Sequence, residues 1–130
     1  MKQQEIIENI NKHLAYNREL KDVCMHIFCY LINENPEDLK YITINNLKKA
    51  AEIESNIIYD AISYFTGERV SLLSVGYEYI DGDDVYTLST SDIIELRTNK
   101  CFYHDGYAIE NWESKIFIYF YASELLKELK

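Results

Sequence analysis

Cysteine and histidine are the side chains in this 130-residue sequence with the greatest capacity for metal or nucleophilic chemistry, and they form two short patterns. These are Cys24-x-His26-x2-Cys29 and Cys101-x2-His104. A structural zinc site takes four such ligands in tetrahedral reach. Because Cys24 and Cys29 lie about 140° apart around a helix, they do not chelate one ion together. We therefore predict no metal site, reduced and buried cysteines, and an ordinary helix position for His26.

Enzyme chemistry lacks a supporting pattern elsewhere in the sequence. Asp81, Asp83 and Asp84 surround Gly82, but the twelve-residue spacing and final glutamate of a calcium loop are missing. A hairpin turn explains these acids more simply. The Cys–His patterns have no glycine-rich elbow or third orienting group beside them. The sequence thus favours a non-enzymatic protein without a cofactor.

Composition and charge narrow the class of protein further. The chain is 48% hydrophobic with one proline, and its formal net charge is −9. These values are typical of one soluble domain with a single core. The negative net charge opposes nonspecific attraction to nucleic acid or anionic lipid. The first ten residues have no apolar segment behind a basic one, so a cytoplasmic location and no membrane contact are expected.

The spacing of apolar residues predicts helices in the first half of the chain and a hairpin after it. Steps of three and four predict helices over residues 3–14, 19–33, 44–52 and 55–67. From residue 70 to 89 the period changes to two, and the Asp-Gly pair at 81–82 indicates a β-hairpin.

The last forty residues are harder to assign. Residues 91–130 are predicted as a helical extension, in which 116–121 has the composition of a strand as well as of a helix. We favour the helix because 123–129 continues the helical pattern without a break. A helix that is apolar around nearly its whole circumference at 116–122 would have to be covered on more than one side, which points to a partner or a second subunit.

Residues 41–89 resemble the winged helix-turn-helix superfamily of bacterial transcriptional regulators. The resemblance rests on the apolar positions of two short helices and their turn, and on a closing wing strand: Leu47, Ala50-Ala51, Ile53, Ile58, Ile62 and Val85-Tyr86-Thr87-Leu88-Ser89. It implies an α+β, mainly α, fold with a β-hairpin wing. The whole chain, 1–130, would be a single winged-helix domain with an N-terminal helix at 1–16, a core helix at 19–34, the helix-turn-helix and wing at 41–89, and a C-terminal helical extension at 91–130.

In DNA-binding members of that superfamily the outward face of the second helix enters the major groove. The corresponding contacts here would be Lys48, Lys49, Asn56, Tyr59 and Ser63. The predicted recognition helix has no lysine or arginine, and seven acids face one arginine between residues 54 and 90. A dimeric DNA-binding regulator is therefore an alternative that the charge disfavours.

The leading hypothesis is a non-enzymatic, acidic winged-helix module that binds protein, as a homodimer or as a small accessory subunit of a larger bacterial-type complex. Twelve tyrosines, five phenylalanines and one tryptophan support it, because aromatic side chains are enriched at protein interfaces. A further alternative is an acidic inhibitor that imitates DNA phosphates. The predicted interface combines aromatic and acidic residues: Tyr77, Tyr79, Asp81, Asp83, Asp84, Trp112, Phe117 and Tyr121.

Overall fold

The fold is α+β, and a computed structural model describes residues 2–130. Its elements, in chain order, are α1 (Gln3–His13), α2 (Arg18–Asn33), α3 (Ile44–Ala51), α4 (Ile57–Thr66), β1 (Leu73–Asp81), β2 (Asp84–Thr87), α5 (Thr90–Asn99), β3 (Tyr103–His104), β4 (Tyr107–Ala108), β5 (Ile116–Ala122) and α6 (Glu124–Leu129). The chain divides into two compact units, one formed by residues up to 75 together with 120–130, the other by residues 76–119. Among residues 2–130, no helix combines the length and apolarity needed to cross a bilayer.

The first unit contains helices α1 to α4 and α6 around the larger core. The apolar stripes read from the sequence are buried there, with Ile6, Ile27 and Leu47 fully inaccessible. Side chains begin the helices: the Asn17 side chain accepts a hydrogen bond from the Leu20 N–H at the start of α2. Thr43 and Asn46 form a capping box at the start of α3. The four helices predicted before residue 70 are confirmed.

The turn between α3 and α4 has a left-handed residue. Glu52 has φ 55° and ψ 42°, and its N–H reaches the carbonyls of Lys48 and Lys49. Its conformation is one that glycine adopts without a steric cost and that a residue with a Cβ rarely adopts. The turn therefore forms here with a glutamate in the left-handed region.

Within the first unit, a β-bridge and a buried serine join residues 120–130 to the earlier part of the chain. Ile42 and Phe120 exchange backbone hydrogen bonds of 2.7 and 2.8 Å. Ser123 then begins α6: its Oγ accepts from the Leu126 N–H at 3.2 Å and donates to the Ser71 carbonyl at 2.7 Å. Ile42 thus pairs with β5 through an isolated antiparallel bridge.

The second unit holds two hairpins and α5 around a smaller core. Tyr79, Leu88 and Phe102 are its buried residues. The sheet has the strand order β2-β1-β5, and Asp81 lies opposite Asp84 in the antiparallel β1–β2 register. The hairpin predicted at 70–89 is confirmed, with a two-residue loop formed by residues 82–83 in which Gly82 has φ +62°.

The prediction of a helical extension over 91–130 is wrong between residues 103 and 122. This part contains strands β3, β4 and β5, and only residues 90–99 and 124–129 are α-helical. Within the second unit the Ile80 N–H bonds to the Lys115 carbonyl at 2.9 Å. The β-branched and aromatic composition of 116–122 therefore decided the outcome, because sheet partners were available on the same chain. Residues 116–122 are therefore not an all-apolar helix that requires an external cover, and they give no support of that kind for a partner.

The cysteines are also only partly as predicted. Cys24 is fully buried, Cys29 is exposed and Cys101 is half-buried. The rotation of about 140° that separates Cys24 from Cys29 directs one toward the core and the other away from it. The prediction that all three are buried is wrong for Cys29.

Candidate functional site

The turns of the two hairpins in the second unit meet at one place, which we call the double-hairpin tip. It consists of Asp81–Asp84 from the β1–β2 hairpin and His104–Tyr107 from the β3–β4 hairpin. His104 Nε2 lies 2.9 Å from Asp84 Oδ2 and 3.5 Å from Asp105 Oδ2. One imidazole nitrogen is therefore shared by two carboxylates that come from different hairpins.

Aromatic rings hold the imidazole of His104 in place. Its ring centroid is 4.9 Å from that of Tyr79 and 5.1 Å from that of Tyr86. The ring of Phe102 is nearly parallel to it, at 9° and 6.3 Å. Only 13% of the His104 side chain is exposed. The packing fixes the orientation of the ring while Nε2 faces the two carboxylates.

Further charges lie at the tip. The Tyr79 hydroxyl donates to Asp81 Oδ2 at 3.2 Å, and Lys115 Nζ is 3.3 Å from the same oxygen. Burial and the neighbouring Asp81 carboxylate raise the pKa of Tyr79. Asp83 and Asp105 are exposed. Since residues 76–119 contain nine acids and three basic side chains, the second unit is strongly acidic.

A second hydrogen-bonded group lies at the start of α5. Asp92 Oδ2 accepts from the Tyr86 hydroxyl at 2.7 Å and from the Ser89 N–H at 2.8 Å. Desolvation opposes the ionised form of Asp92, but these hydrogen bonds and the nearby His104 lower its pKa below the usual value. This arrangement caps α5 and holds the Tyr86 ring against His104.

The structure brings together only part of the predicted interface. Asp81, Asp83 and Asp84 are exposed at the tip. Tyr79 is 3% exposed and belongs to the smaller core, so its prediction as a surface contact is wrong. Of the remaining aromatic residues of that prediction, Tyr77 and Trp112 are half-buried, and Phe117 and Tyr121 are exposed on β5.

Each unit also has a cavity. One of about 190 Å³ is lined by Tyr77, Ile93, Leu96, Arg97, Trp112 and Ile116 in the second unit. Another, of about 340 Å³, lies in the first unit and has three lysines and four largely apolar residues around it: Pro36, Leu39, Lys40, Tyr121, Ala122, Lys127 and Lys130.

The lysines around the larger cavity already have partners. Lys40 Nζ pairs with Glu37 at 2.9 Å, and Lys127 Nζ with Glu124 at 3.4 Å. Lys130 Nζ donates to three carbonyls at the end of α2, those of residues 31, 32 and 34. These contacts compensate the lysine charges, and the cavity presents mainly apolar walls.

The residues of the DNA-binding alternative lie on α3, at the N-cap of α4 and on α4 itself. Lys49, Asn56, Tyr59 and Ser63 are exposed, and Lys48 is half-buried. A helix face that contacts DNA bases must be exposed, and this condition is met. However, α4 contains Asp60 and no basic residue. The face is accessible, with a charge that opposes phosphate.

Sequence reasoning missed His104, Asp105 and the exposed ring of Tyr107 as parts of the tip, and the exposed ring of Tyr103 directly before it. The Asp105-Gly106 dipeptide was the available signal. Both residues have positive φ, 52° and 83°, as the two central residues of a type I′ hairpin turn do. Because β3 and β4 are two residues long each, strand periodicity could not reveal them.

Comparisons of the chain with protein-family models, with curated proteins and with solved structures found no match.

Proposed function

We propose that this protein is a non-enzymatic, acidic protein-interaction module whose contact surface is the double-hairpin tip. The observation that carries the proposal is the composition of that tip. Exposed carboxylates at Asp81, Asp83, Asp84 and Asp105 accompany the exposed ring of Tyr107, which is 75% accessible. The partner has a basic surface with room for an aromatic side chain.

The physical basis is the combination of charge with a rigid aromatic contact. Tyr107 lies opposite His104 in the β3–β4 pair, and the contacts of His104 hold this hairpin in place. A tyrosine ring supplies a large contact area with few rotatable bonds. The carboxylates around it accelerate association with a basic partner and discriminate against acidic ones.

We further propose that the module is a winged helix. Support comes from the order α2, α3, α4 and hairpin, from the packing of α3 on α4, and from the left-handed Glu52 in the turn between them. The strand order β2-β1-β5 adds a third strand, from near the end of the chain, to this proposed wing. In this proposal the wing is the acidic hairpin, and it contacts protein.

Site-specific photo-crosslinking in the native host tests the interaction. A benzophenone amino acid replaces Tyr107 in one variant and Tyr16 in another, since Tyr16 is 79% exposed but lies in the first unit. We expect Tyr107 to capture a predominant protein with a basic surface, and Tyr16 to capture it at least five-fold less.

A pair of charge reversals controls for net charge. Asp83→Lys changes the tip, whereas Glu8→Lys makes the same change on the exposed side of α1. The proposal requires that Asp83→Lys reduce the Tyr107 crosslink at least five-fold and that Glu8→Lys leave it. Equal capture from both positions, or an unchanged crosslink in Asp83→Lys, would contradict it.

A DNA-mimic inhibitor is a specific form of the same proposal. Three exposed acids lie close together in the wing and could imitate the phosphates of DNA: Asp81, Asp83 and Asp84. If the captured partner binds nucleic acid, competition with duplex DNA separates the two forms. Loss of competition on neutralising these aspartates identifies a mimic; simultaneous binding of DNA and the module identifies an accessory subunit.

A further inference from the structure

We propose that Asp84, His104 and Asp105 form a binding site for a divalent transition-metal ion. This inference goes beyond the proposed function and is independent of any protein partner. One ligand atom from each side chain lies within 4.8 Å of the other two. The three atoms thus surround a single point at the double-hairpin tip.

The distances fit a metal as a common neighbour. At metal–ligand bonds of about 2.1 Å, two ligands of a tetrahedral ion are about 3.4 Å apart, and adjacent ligands of an octahedral ion about 3.0 Å apart. The separations from Nε2 are 2.9 Å to Asp84 and 3.5 Å to Asp105. All three ligand atoms lie within 4.8 Å of one another, and the two carboxylate oxygens must approach to about 3.4 Å or less to share one ion.

A shared hydrogen bond explains the geometry less completely. A neutral imidazole that is protonated at Nε2 donates one hydrogen, so it bonds Asp84 at 2.9 Å and supplies no second hydrogen for Asp105, whose Oδ2 is 3.5 Å from the same nitrogen. A divalent ion attracts both carboxylates and the nitrogen lone pair together. With a neutral imidazole, its two positive charges balance the two carboxylates.

The histidine ligand is held in place before any ion arrives. The rings of Tyr79, Tyr86 and Phe102 orient the imidazole, and His104 is one of the least exposed side chains at the tip. Asp84 directly follows the two-residue loop of the first hairpin, and Asp105 is the first residue of the two-residue loop of the second. Such preorganisation lowers the entropy lost when an ion binds.

The ligand set determines the class of metal. One imidazole with two carboxylates suits Zn²⁺, Mn²⁺, Fe²⁺ or Co²⁺, whereas Mg²⁺ and Ca²⁺ prefer oxygen ligands alone. Three protein ligands leave the remaining coordination positions to water or to a group from another molecule. Of the other charges nearby, Asp83 strengthens the attraction for a cation, and Lys115 compensates Asp81 at 3.3 Å.

Titration of the chelator-treated protein with Co²⁺ tests the site, because bound Co²⁺ has a visible absorption spectrum that reports its ligands. We expect saturable binding of one equivalent in the micromolar range, displaced by Zn²⁺. His104→Gln and Asp105→Asn are expected to weaken it at least ten-fold. His26→Gln is the matched control, since His26 is exposed on α2 and its loss leaves the binding unchanged.

Asp105→Asn also distinguishes loss of a ligand from loss of the fold, because it leaves the His104–Asp84 contact in place. Its circular dichroism and melting temperature without metal are expected to match those of the parent protein. Absence of saturable Co²⁺ binding below about 100 µM, or equal weakening by His26→Gln, would overturn the proposal and leave an ion pair that joins two hairpins. The crosslinking experiment tests the protein contact separately, because its charge variant changes Asp83, which is not one of the three ligands.

Discussion

At the scale of single residues, the left-handed conformation of Glu52 is a feature that only the structure shows. Glu52 has φ 55° at the end of α3. A residue with a Cβ loses roughly 1 kcal/mol in the left-handed region, whereas glycine does not. The turn between α3 and α4 therefore forms at the expense of some stability.

Glu52→Gly is expected to stabilise the protein by about 0.5–1 kcal/mol, because relief of the left-handed strain exceeds the added entropy of the unfolded chain. The free energy of unfolding in urea measures this. Glu54→Gly is the control, because it removes the same charge in the same turn at a residue without positive φ. A small decrease in the free energy of unfolding is expected for this variant. A loss in Glu52→Gly would show that the Glu52 side chain stabilises the turn.

Burial determines the acid–base behaviour of Cys24. Desolvation raises the pKa of this thiol from 9.0 to about 12. Between these values the unfolded chain loses the thiol proton and the folded protein keeps it. The stability associated with Cys24 is thus complete below about pH 9 and declines as the pH rises toward 12.

We therefore expect the free energy of unfolding to fall between pH 9 and 11 by up to about 1.4 kcal/mol per pH unit from this group alone. Urea unfolding at several pH values measures the slope. Cys24→Ala is expected to flatten it, and Cys29→Ala, at an exposed thiol, to leave it unchanged. An identical slope in all three proteins would assign the alkaline loss to other groups.

At the scale of elements, the helices of the first unit follow directly from local spacing, and β5 does not. Residues 116–122 carry seven consecutive apolar or aromatic side chains, which is compatible with a buried helix or a strand. The choice depends on backbone partners distant in sequence, such as Ile42 for Phe120. Local spacing cannot contain that information.

One glycine shows how closely the strands of the second unit approach each other. A Cβ at Gly76 in β1 would lie 2.6 Å from both Cε1 and Oη of Tyr119 in β5. The absence of a side chain at Gly76 therefore makes room for the tyrosine ring. Here glycine is needed for close packing and not for an unusual φ.

Gly76→Ala is expected to destabilise the protein by about 1–3 kcal/mol, because the Tyr119 ring must move. A double-mutant cycle with Tyr119→Ala, measured by thermal or urea unfolding, separates this clash from a change in strand propensity. We expect the two substitutions to be non-additive, with the alanine at 76 costing much less once the ring is gone. Additive effects would show that the loss of stability in Gly76→Ala does not come from a clash with the Tyr119 ring.

At the scale of the whole molecule, the distribution of charge determines which partners are compatible. Of the formal charge of −9, the second unit carries −6 in 44 residues. A DNA-binding protein gains affinity by releasing counterions from phosphates through its lysines and arginines. The exposed face of α4 has no residue that could do so.

We expect no saturable change in fluorescence anisotropy of labelled random-sequence duplex DNA with protein up to about 50 µM, even at low salt, where nonspecific binding is strongest. Parallel measurements near physiological salt check how the anisotropy depends on salt concentration. Binding at low salt that Lys49→Ala and Asn56→Ala reduce would favour the regulator alternative and contradict this prediction.

The sequence by itself determined the α+β class, the first four helices, the hairpin at 73–87 and the acidic character of its turn, because each depends on neighbours within about ten residues. Only the tertiary structure decided that 116–122 is a strand, that Tyr79 lies inside the smaller core, and that His104 approaches Asp84. His104 and Asp84 are twenty positions apart. Their chain segments meet because Tyr79 of the first hairpin packs against Phe102, which directly precedes the second. Contacts of this kind arise from the packing of the whole unit, and no local pattern specifies them.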